Sequence, residues 1–382
     1  MADPRTIVVA NPESLRWLAY EPELRAFWAL RGVTPGVVLV PWRDVVAVEG
    51  RLDSLPAFDR PAIVRLESPG RDWDVSRMLL RLGSLAENDA TDIDWLGLEY
   101  ERGRLVRPGL FFEGFRHVLR GLRESFDARP HLRPTACPLE VLEMFDKNAT
   151  CARLTAAGVP VPPSLVAPPD PGALLELLRR ERFDPAYVKL NTGSSASAIA
   201  VVRPHESPSA TSSIASRGGE FYSTRRLVRH GGAELDLVLA FLIREGVCVQ
   251  RGIRMAQLEG QNFDLRVVVL YGRPAFTIFR LSPNPMTNLH LGGHRGDPAA
   301  CRATIPPRAW LDGMDACVEA ATQFPGCALA GVDLLFEEGY RRHFILEVNA
   351  FGDFFPNLTD GQGRGVHGAE VKATARAMGL AE

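Results

Sequence analysis

Three side chains late in the sequence have the types and spacing to hold a divalent cation. The run GVDLLFEEGYRRHFILEVNAF (331–351) reads as two strands around a polar turn near Gly339 and Tyr340. Alternation predicts an apolar face of Val332, Leu334 and Phe336 with Phe344, Leu346 and Val348, and an opposite face carrying Asp333, Glu347 and Asn349. With the turn centred on Tyr340, position 333 lies across from position 347, so two carboxylates become cross-strand neighbours. Unpaired like charges there would be destabilising. A cation removes that penalty, and two carboxylates with one amide are hard oxygen ligands of the kind magnesium takes alongside substrate phosphates. The alternative for the same residues is the solvated side of an antiparallel sheet.

Positive charge is spaced to meet that site. YVKLNTGSSASAIAVV (187–202) predicts a strand ending near Lys189, a small-residue loop at Gly193 to Ser197, and a second strand. Small residues let backbone N–H groups converge on phosphate oxygens, and a strand-borne lysine adds charge beside them. The same loop also reads as a plain hairpin connection. Lys147 opens the helical run KNATCARLTAAG, where it supplies a second cation or a solvated surface charge. FDLRVVVLYGRPAFTIFRLSPNPMTNLHLGG (263–293) predicts a hairpin turning at Tyr271 and Gly272, with Asp264 and Arg266 on one face and Arg280 on the returning strand. Its arginines either neutralise charge on a transferred phosphoryl group or pair with Asp264 and its neighbours at the surface.

The elements that must position these residues belong to an ordinary globular composition. The 382 residues are 46% hydrophobic, enough to bury the cores of two or three domains. A formal charge of −2 and the absence of a long basic block give no reason to expect a nucleic-acid partner. No apolar run approaches the ~20 residues of a membrane span, and the first residues carry no signal core, so no membrane association and a cytoplasmic location are expected. The six cysteines form no C-x-x-C pair and the eight histidines no zinc-like spacing. TIVVA (6–10), GVVLVP (36–41) and AIVRLE (62–67) read as strands, with helical patterns over Leu15 to Leu30, Trp73 to Leu82 and Phe115 to Phe126. A Rossmann-like layer fits, without the G-x-G-x-x-G of a dinucleotide site. Prolines 130, 134 and 138 mark a boundary, Pro160 to Pro171 a stiff connector, and Arg203 to Gly219 a mobile loop rich in Ser, Pro, Ala and Gly.

In chain order these pieces resemble the ATP-grasp superfamily, in the style of ribosomal-protein glutamate ligases and glutathione-synthetase-like carboxylate-amine ligases. The resemblance runs from about Asp146 to Asn349: DK then AGVPVPPS, a strand lysine before GSSAS, VQRGI, FDLRVVVLYGRP, TNLHLGG, GVDLLF and LEVNAF. It implies an α/β fold of the α+β ATP-grasp type. A Rossmann-like pre-ATP-grasp domain (1–135), matched in architecture only, would precede a two-subdomain module, the lid or central part at 136–245 and the metal-site part at 246–382. It further implies that Lys147, Lys189 and the loop residues Gly193, Ser194 and Ser195 contact ATP phosphates, and that backbone groups of Gln250, Arg251 and Ile253 hold adenine. Asp333, Glu347 and Asn349 would bind one or two Mg2+ ions, Arg280 and Arg266 would stabilise the transferred phosphoryl, and Asn288 would line the reaction centre with His290 beside it. Two departures stand out: Ala198 where glycine is frequent, and Gln250 and Arg251 where an acidic residue often meets the ribose.

The activity so implied is ATP- and magnesium-dependent ligation of a carboxylate to an amine through an acyl phosphate. The partners would be amino-acid or peptide substrates, and a homodimer is the quaternary state such enzymes often adopt. Arg203 to Gly219 would cover the intermediate, and Asp353 would orient an amine or cap its turn. The alternatives are an ATP-binding protein or phosphotransferase of the same fold without ligase activity.

Overall fold

The structure is a computed structural model that describes residues 5–70, 72–88, 93–193, 197–352 and 356–381. The β-branched runs near the start form a parallel layer. β1 (Arg5–Ala10), α1 (Leu15–Ala29), β2 (Gly36–Pro41), α2 (Trp42–Ala47), β3 (Ala62–Leu66), α3 (Trp73–Ala86), α4 (Pro108–Asp127) and β4 (Leu132–Pro134) follow in order. The strands pair as β2-β1-β3-β4, all parallel. β1 and β3 are buried almost throughout, as strands covered on both faces must be. Helices α3 and α4 cross at contact distance over two glycines. A Cβ on Gly83 would lie 1.8 Å from Leu110 O, and one on Gly114 1.9 Å from Leu79 O.

A second sheet is built from the middle of the chain. After α5 (Pro138–Phe145) and α6 (Lys147–Ala156) come β5 (Ser164–Leu165), α7 (Pro171–Arg180), β6 (Ala186–Leu190), β7 (Ile199–Arg203), β8 (Ser209–Arg217), β9 (Glu220–Gly231), α8 (Gly232–Arg244) and β10 (Val247–Arg251). Its order is β5-β10-β6-β7-β8-β9, so this sheet draws on residues beyond 245. The proline-rich connector contributes only β5, on the sheet edge where a missing N–H is tolerated. The segment expected to be a mobile loop, Arg203 to Gly219, is instead mostly strand β8. Ser212 and Ser213 there are fully buried, their hydroxyls bonded to Ile199 O (2.9 Å) and Ile199 N (3.2 Å). Composition misled because small hydroxyl side chains satisfied by a neighbouring strand pack as well in a sheet as in a loop.

The third sheet follows from β11 (Gln257–Leu258), β12 (Gln261–Leu270), β13 (Arg273–Ser282), β14 (His294–Arg295), α9 (Pro298–Thr304), α10 (Pro307–Thr322), β15 (Leu329–Phe336) and β16 (His343–Asn349), and α11 (Val366–Ala377) then packs against α1. The order is β14-β13-β12-β15-β16, with β11 on β12. Tyr271 (φ 46°) and Gly272 (φ 72°) make the turn between β12 and β13, the consecutive left-handed residues that a two-residue hairpin of matching twist requires. The first and third sheets share one continuous apolar core, whereas β6, β7, β8, α7 and α8 enclose another. Among the described residues no helix is long and apolar enough to cross a membrane.

Candidate active site

The acidic hairpin forms in the expected register up to one bulge. Asp333 pairs with Glu347 and Val332 with Val348, but Leu334 pairs with Ile345, leaving Leu346 outside the ladder. The extra residue corrects the expected apolar face: Ile345, in place of Leu346, joins Val332, Leu334, Phe336 and Val348 in the core cluster, while Phe344 is buried outside that cluster. A bulge shifts every later side chain to the other face, and alternation alone cannot announce it. Asp333, Glu347 and Asn349 remain together, because the shift falls beyond them.

Across the adjoining strands, charges alternate. Arg266 on β12 sits opposite Asp333 on β15 and grips it with Nε and Nη2, the latter 3.1 Å from Oδ2. Arg280 on β13 sits opposite Asp264 on β12, with Nε to Oδ1 at 2.8 Å and Nη2 to Oδ2 at 2.5 Å. The same Nη2 lies 3.2 Å from Asp333 Oδ1, which joins the two pairs. All four residues are buried, so these are interior ion pairs rather than surface ones. Burial pushes the Asp333 carboxyl up, but Arg266 and Arg280 outweigh it and hold the group below its ordinary range. At Asp264 burial prevails over Arg280, and the carboxyl is raised.

The two lysines arrive from the other side of the cleft. Asp146 caps α6 by accepting from Ala149 N (2.9 Å) and also accepts from Asn191 Nδ2 (2.9 Å), while Asn191 O and Oδ1 take the N–H groups of Lys147 (3.1 Å) and Asn148 (2.9 Å). This clamp fastens the first turn of α6 to the chain just beyond β6, and so places Lys147 beside Lys189. Their Nζ atoms stand 3.8 and 3.4 Å from Glu347 Oε1, and Lys147 Nζ also donates to Gly193 O. Burial raises Glu347, but Lys147 and Lys189 together hold it below the usual carboxylate value. Burial lowers Lys147, whereas Glu347, nearer to Lys189, raises that lysine despite burial.

A cleft of about 1070 Å³ collects these groups. It is lined by Lys147, Lys189, Gly193, Gln250, Arg251, Ile253, Arg266, Arg280, Asn288, His290, Asp333, Glu347 and Asn349, so every described residue nominated from the sequence faces one space. Ser194, Ser195 and Asp353 lie outside the described residues. Gln250 is buried and its Nε2 reaches Cys151 Sγ at 3.2 Å. The N–H groups of Arg251 and Gly252 are committed to Pro163 O (2.8 Å) and Pro185 O (2.7 Å), whereas that of Ile253 has no protein partner among the described residues. Asn288 accepts from His290 N (2.8 Å), capping a short 3-10 turn over Leu289–Leu291. Asn349 gives Nδ2 to Gly331 O at 3.0 Å. No group of three or more His, Cys, Asp or Glu suited to a metal exists among the described residues. A cation here would therefore use the two carboxylates, the Asn349 amide and oxygens of its ligand, a donor set that fits magnesium and suits zinc poorly.

Sequence reading offered the pairing of Asp264 with an arginine only as a surface contact, whereas the Asp264–Arg280 pair is buried, and it missed the Asp146–Asn191 clamp and a further wall of the cleft formed by Asn11, Arg16, Arg43 and Glu67. The Asp-Lys-Asn start of α6 was the available signal for the clamp, since Asp before a helix is a cap.

Known structures share this fold. Macrocyclase MdnC from Microcystis aeruginosa MRC, bound with precursor peptide MdnA, matches 97% of this chain and 99% of its own at 11% identity and a TM-score of 0.53. D-cycloserine synthetase DcsG matches 98% and 99% at 18% identity and 0.52. This is the ATP-grasp fold. D-alanine–D-alanine ligase from Bacillus anthracis, complexed with ATP, shares it over 99% of this chain and 98% of its own, at 11% identity and 0.52. The ATP-grasp likeness thus takes in the N-terminal parallel layer as well as the two antiparallel sheets. No protein-family model and no curated protein matches the sequence.

Proposed function

We propose that the protein is an ATP- and magnesium-dependent ligase that activates a carboxylate as an acyl phosphate and joins it to an amine. The observation that carries this reading is the convergence, within one ATP-grasp cleft, of Glu347 between the buried Lys189 and the partly buried Lys147 and of Asp333 between two buried arginines. Lys147 and Lys189 would bind nucleotide phosphates, their charges already held in place by the clamp at Asp146. The Ile253 N–H and the strand end at Gln250 and Arg251 would hold the base. Magnesium, when bound at Glu347, Asn349 and Asp333, would supply charge neutralisation between adjacent phosphates. Arg280 and Arg266 would stabilise the phosphoryl group in transfer, held rigid by Asp264 and Asp333 so that no reorganisation is needed as charge moves. Asn288 would line the reacting centre. The chain's task is then positioning and exclusion of water while the amine attacks the acyl carbon and phosphate leaves.

The expected products are ADP, inorganic phosphate and a condensed product in equal amounts, from a carboxylate and an amine presented with ATP and magnesium. Mass spectrometry with phosphate release tests this on a panel of amino acids and peptides. Accumulation of a stable phosphorylated product without condensation would make the protein a phosphotransferase. Nucleotide binding with no turnover over the panel would favour a binding protein of the same fold.

A further inference from the structure

The cleft extends past the nucleotide and cation residues to the carboxyl ends of the N-terminal parallel strands. In the order β2-β1-β3-β4 the chain changes direction of winding between β1 and β3, and an open parallel sheet forms a ligand crevice at such a point. Asn11 follows β1, Arg43 follows β2 and Glu67 follows β3, and all three line the cleft with Arg16 from the first turn of α1.

Glu67 is 1% exposed and accepts from Arg65, which also holds Glu370 through Nε (2.7 Å) and Nη2 (2.9 Å). Arg16 Nη1 donates to Glu67 Oε2 at 3.3 Å, and its side chain is 24% exposed. No described residue accepts from Arg16 Nε or Nη2. A buried carboxylate thus fixes one nitrogen of the guanidinium and leaves two for the cleft. Among the described residues Arg43 has only an exposed contact with Asp44, at 3.6 Å. Ser14 caps α1 with no side-chain bond and the first turn holds no acidic residue, so helix N–H groups add positive potential beside Arg16, on a wall that Glu13, Glu67 and Asp72 also line. Asn11, 8% exposed, gives Nδ2 to Pro69 O and leaves Oδ1 without a partner among the described residues. A buried acceptor in that state calls for a donor.

We propose that this corner binds the charged end of a free amino-acid substrate: Arg16, with Arg43 and the start of α1, takes an α-carboxylate that does not react, and Asn11 Oδ1 accepts from the amino group. The proposal rests on the ligase reading and names one of its two substrates as an amino acid. A planar guanidinium with two open N–H directions suits a carboxylate better than a lysine would.

The test is the melting temperature of the full chain with ATP, with magnesium, and with alanine, serine or glutamate in L and D forms, each also as its α-carboxamide. At least one amino acid should raise the melting temperature at millimolar concentration, and its carboxamide should not. Arg16→Gln should weaken that amino acid by about tenfold or more, the loss of a charge-assisted contact. Arg16→Lys should recover part of it, and Arg43→Gln, at an exposed position, should weaken it less. The ATP response should be the same in all of these variants. Equal binding of acid and carboxamide, an Arg16→Gln variant that binds unchanged, or a response to no member of the panel would each overturn the anchor. An amino-acid response without any ATP response would leave the anchor standing and remove the ligase reading instead.

Discussion

Glu347 is the residue on which two sources of positive charge meet, and on substrate binding it would exchange lysine contacts for a cation and its phosphates. Glu347→Gln keeps the shape and removes the charge. It should abolish magnesium-dependent turnover while circular dichroism stays unchanged, and normal turnover in that variant would remove Glu347 from the metal set. Lys189→Ala should weaken ATP by about tenfold, on the scale of one charge-assisted contact, measured by titration calorimetry; unchanged affinity would take this lysine out of the phosphate site. Asp264 is a different kind of residue. With its partner Arg280 buried, Asp264→Asn leaves an interior charge under-compensated and should cost roughly 3 kcal/mol in urea unfolding. A loss well under 1 kcal/mol would show the pair to be dispensable to the fold.

At the scale of elements, the hairpins were legible because each carries its own instructions. Tyr271–Gly272 and Gly339–Tyr340 are turn residues between alternating runs, enough to bring the strands of each hairpin together and to set Asp333 against Glu347, whereas Asp264 meets Arg280 only through a register shift between Val268 and Val269. The bulge at Leu346 was not legible, since nothing in ILEVN distinguishes an inserted residue from a paired one. Nor was β8, whose buried serines look like loop residues until a neighbouring strand satisfies them. The contact of α3 with α4 was equally hidden: two glycines 31 positions apart read as helix weaknesses, yet a Cβ on either would run into the other helix's backbone. Gly83→Ala or Gly114→Ala should therefore destabilise by about 1–3 kcal/mol through overpacking, although alanine is the better helix former. Thermal unfolding that shows either variant more stable than the parent would contradict the close crossing.

At the scale of the molecule, the first sheet is tied to the last helix by the Arg65–Glu370 pair, residues 305 positions apart and beyond any local reading of the sequence. Burial acts to raise the Glu370 carboxyl, but Arg65 and His367 more than offset it and hold it down at about 2, against an ordinary value of 4.5. A carboxyl depressed on folding stabilises the protein above its unfolded value, and that contribution is lost as pH falls toward the folded one. About 3 kcal/mol of stability should thus disappear between about pH 5 and about pH 2 through this group. In Glu370→Gln the acid limb of a stability-against-pH curve should be flatter and the neutral plateau lower. An unchanged acid limb would show that the pair contributes nothing to acid sensitivity. The same network steadies Glu67 and Arg16 at the cleft wall, so the whole fold, and not the third sheet alone, shapes the space where substrates would meet.

Magnesium-dependent ATP binding is measured by a thermal-shift titration of the full chain with ATP, GTP and NADH, each with and without magnesium. A ligand bound only by the native state raises the melting temperature by mass action. The expected result is a rise with ATP that depends on magnesium, is lost in Glu347→Gln, and is not matched by GTP or NADH. No rise with ATP at millimolar concentration, or an equal rise with NADH, would contradict it.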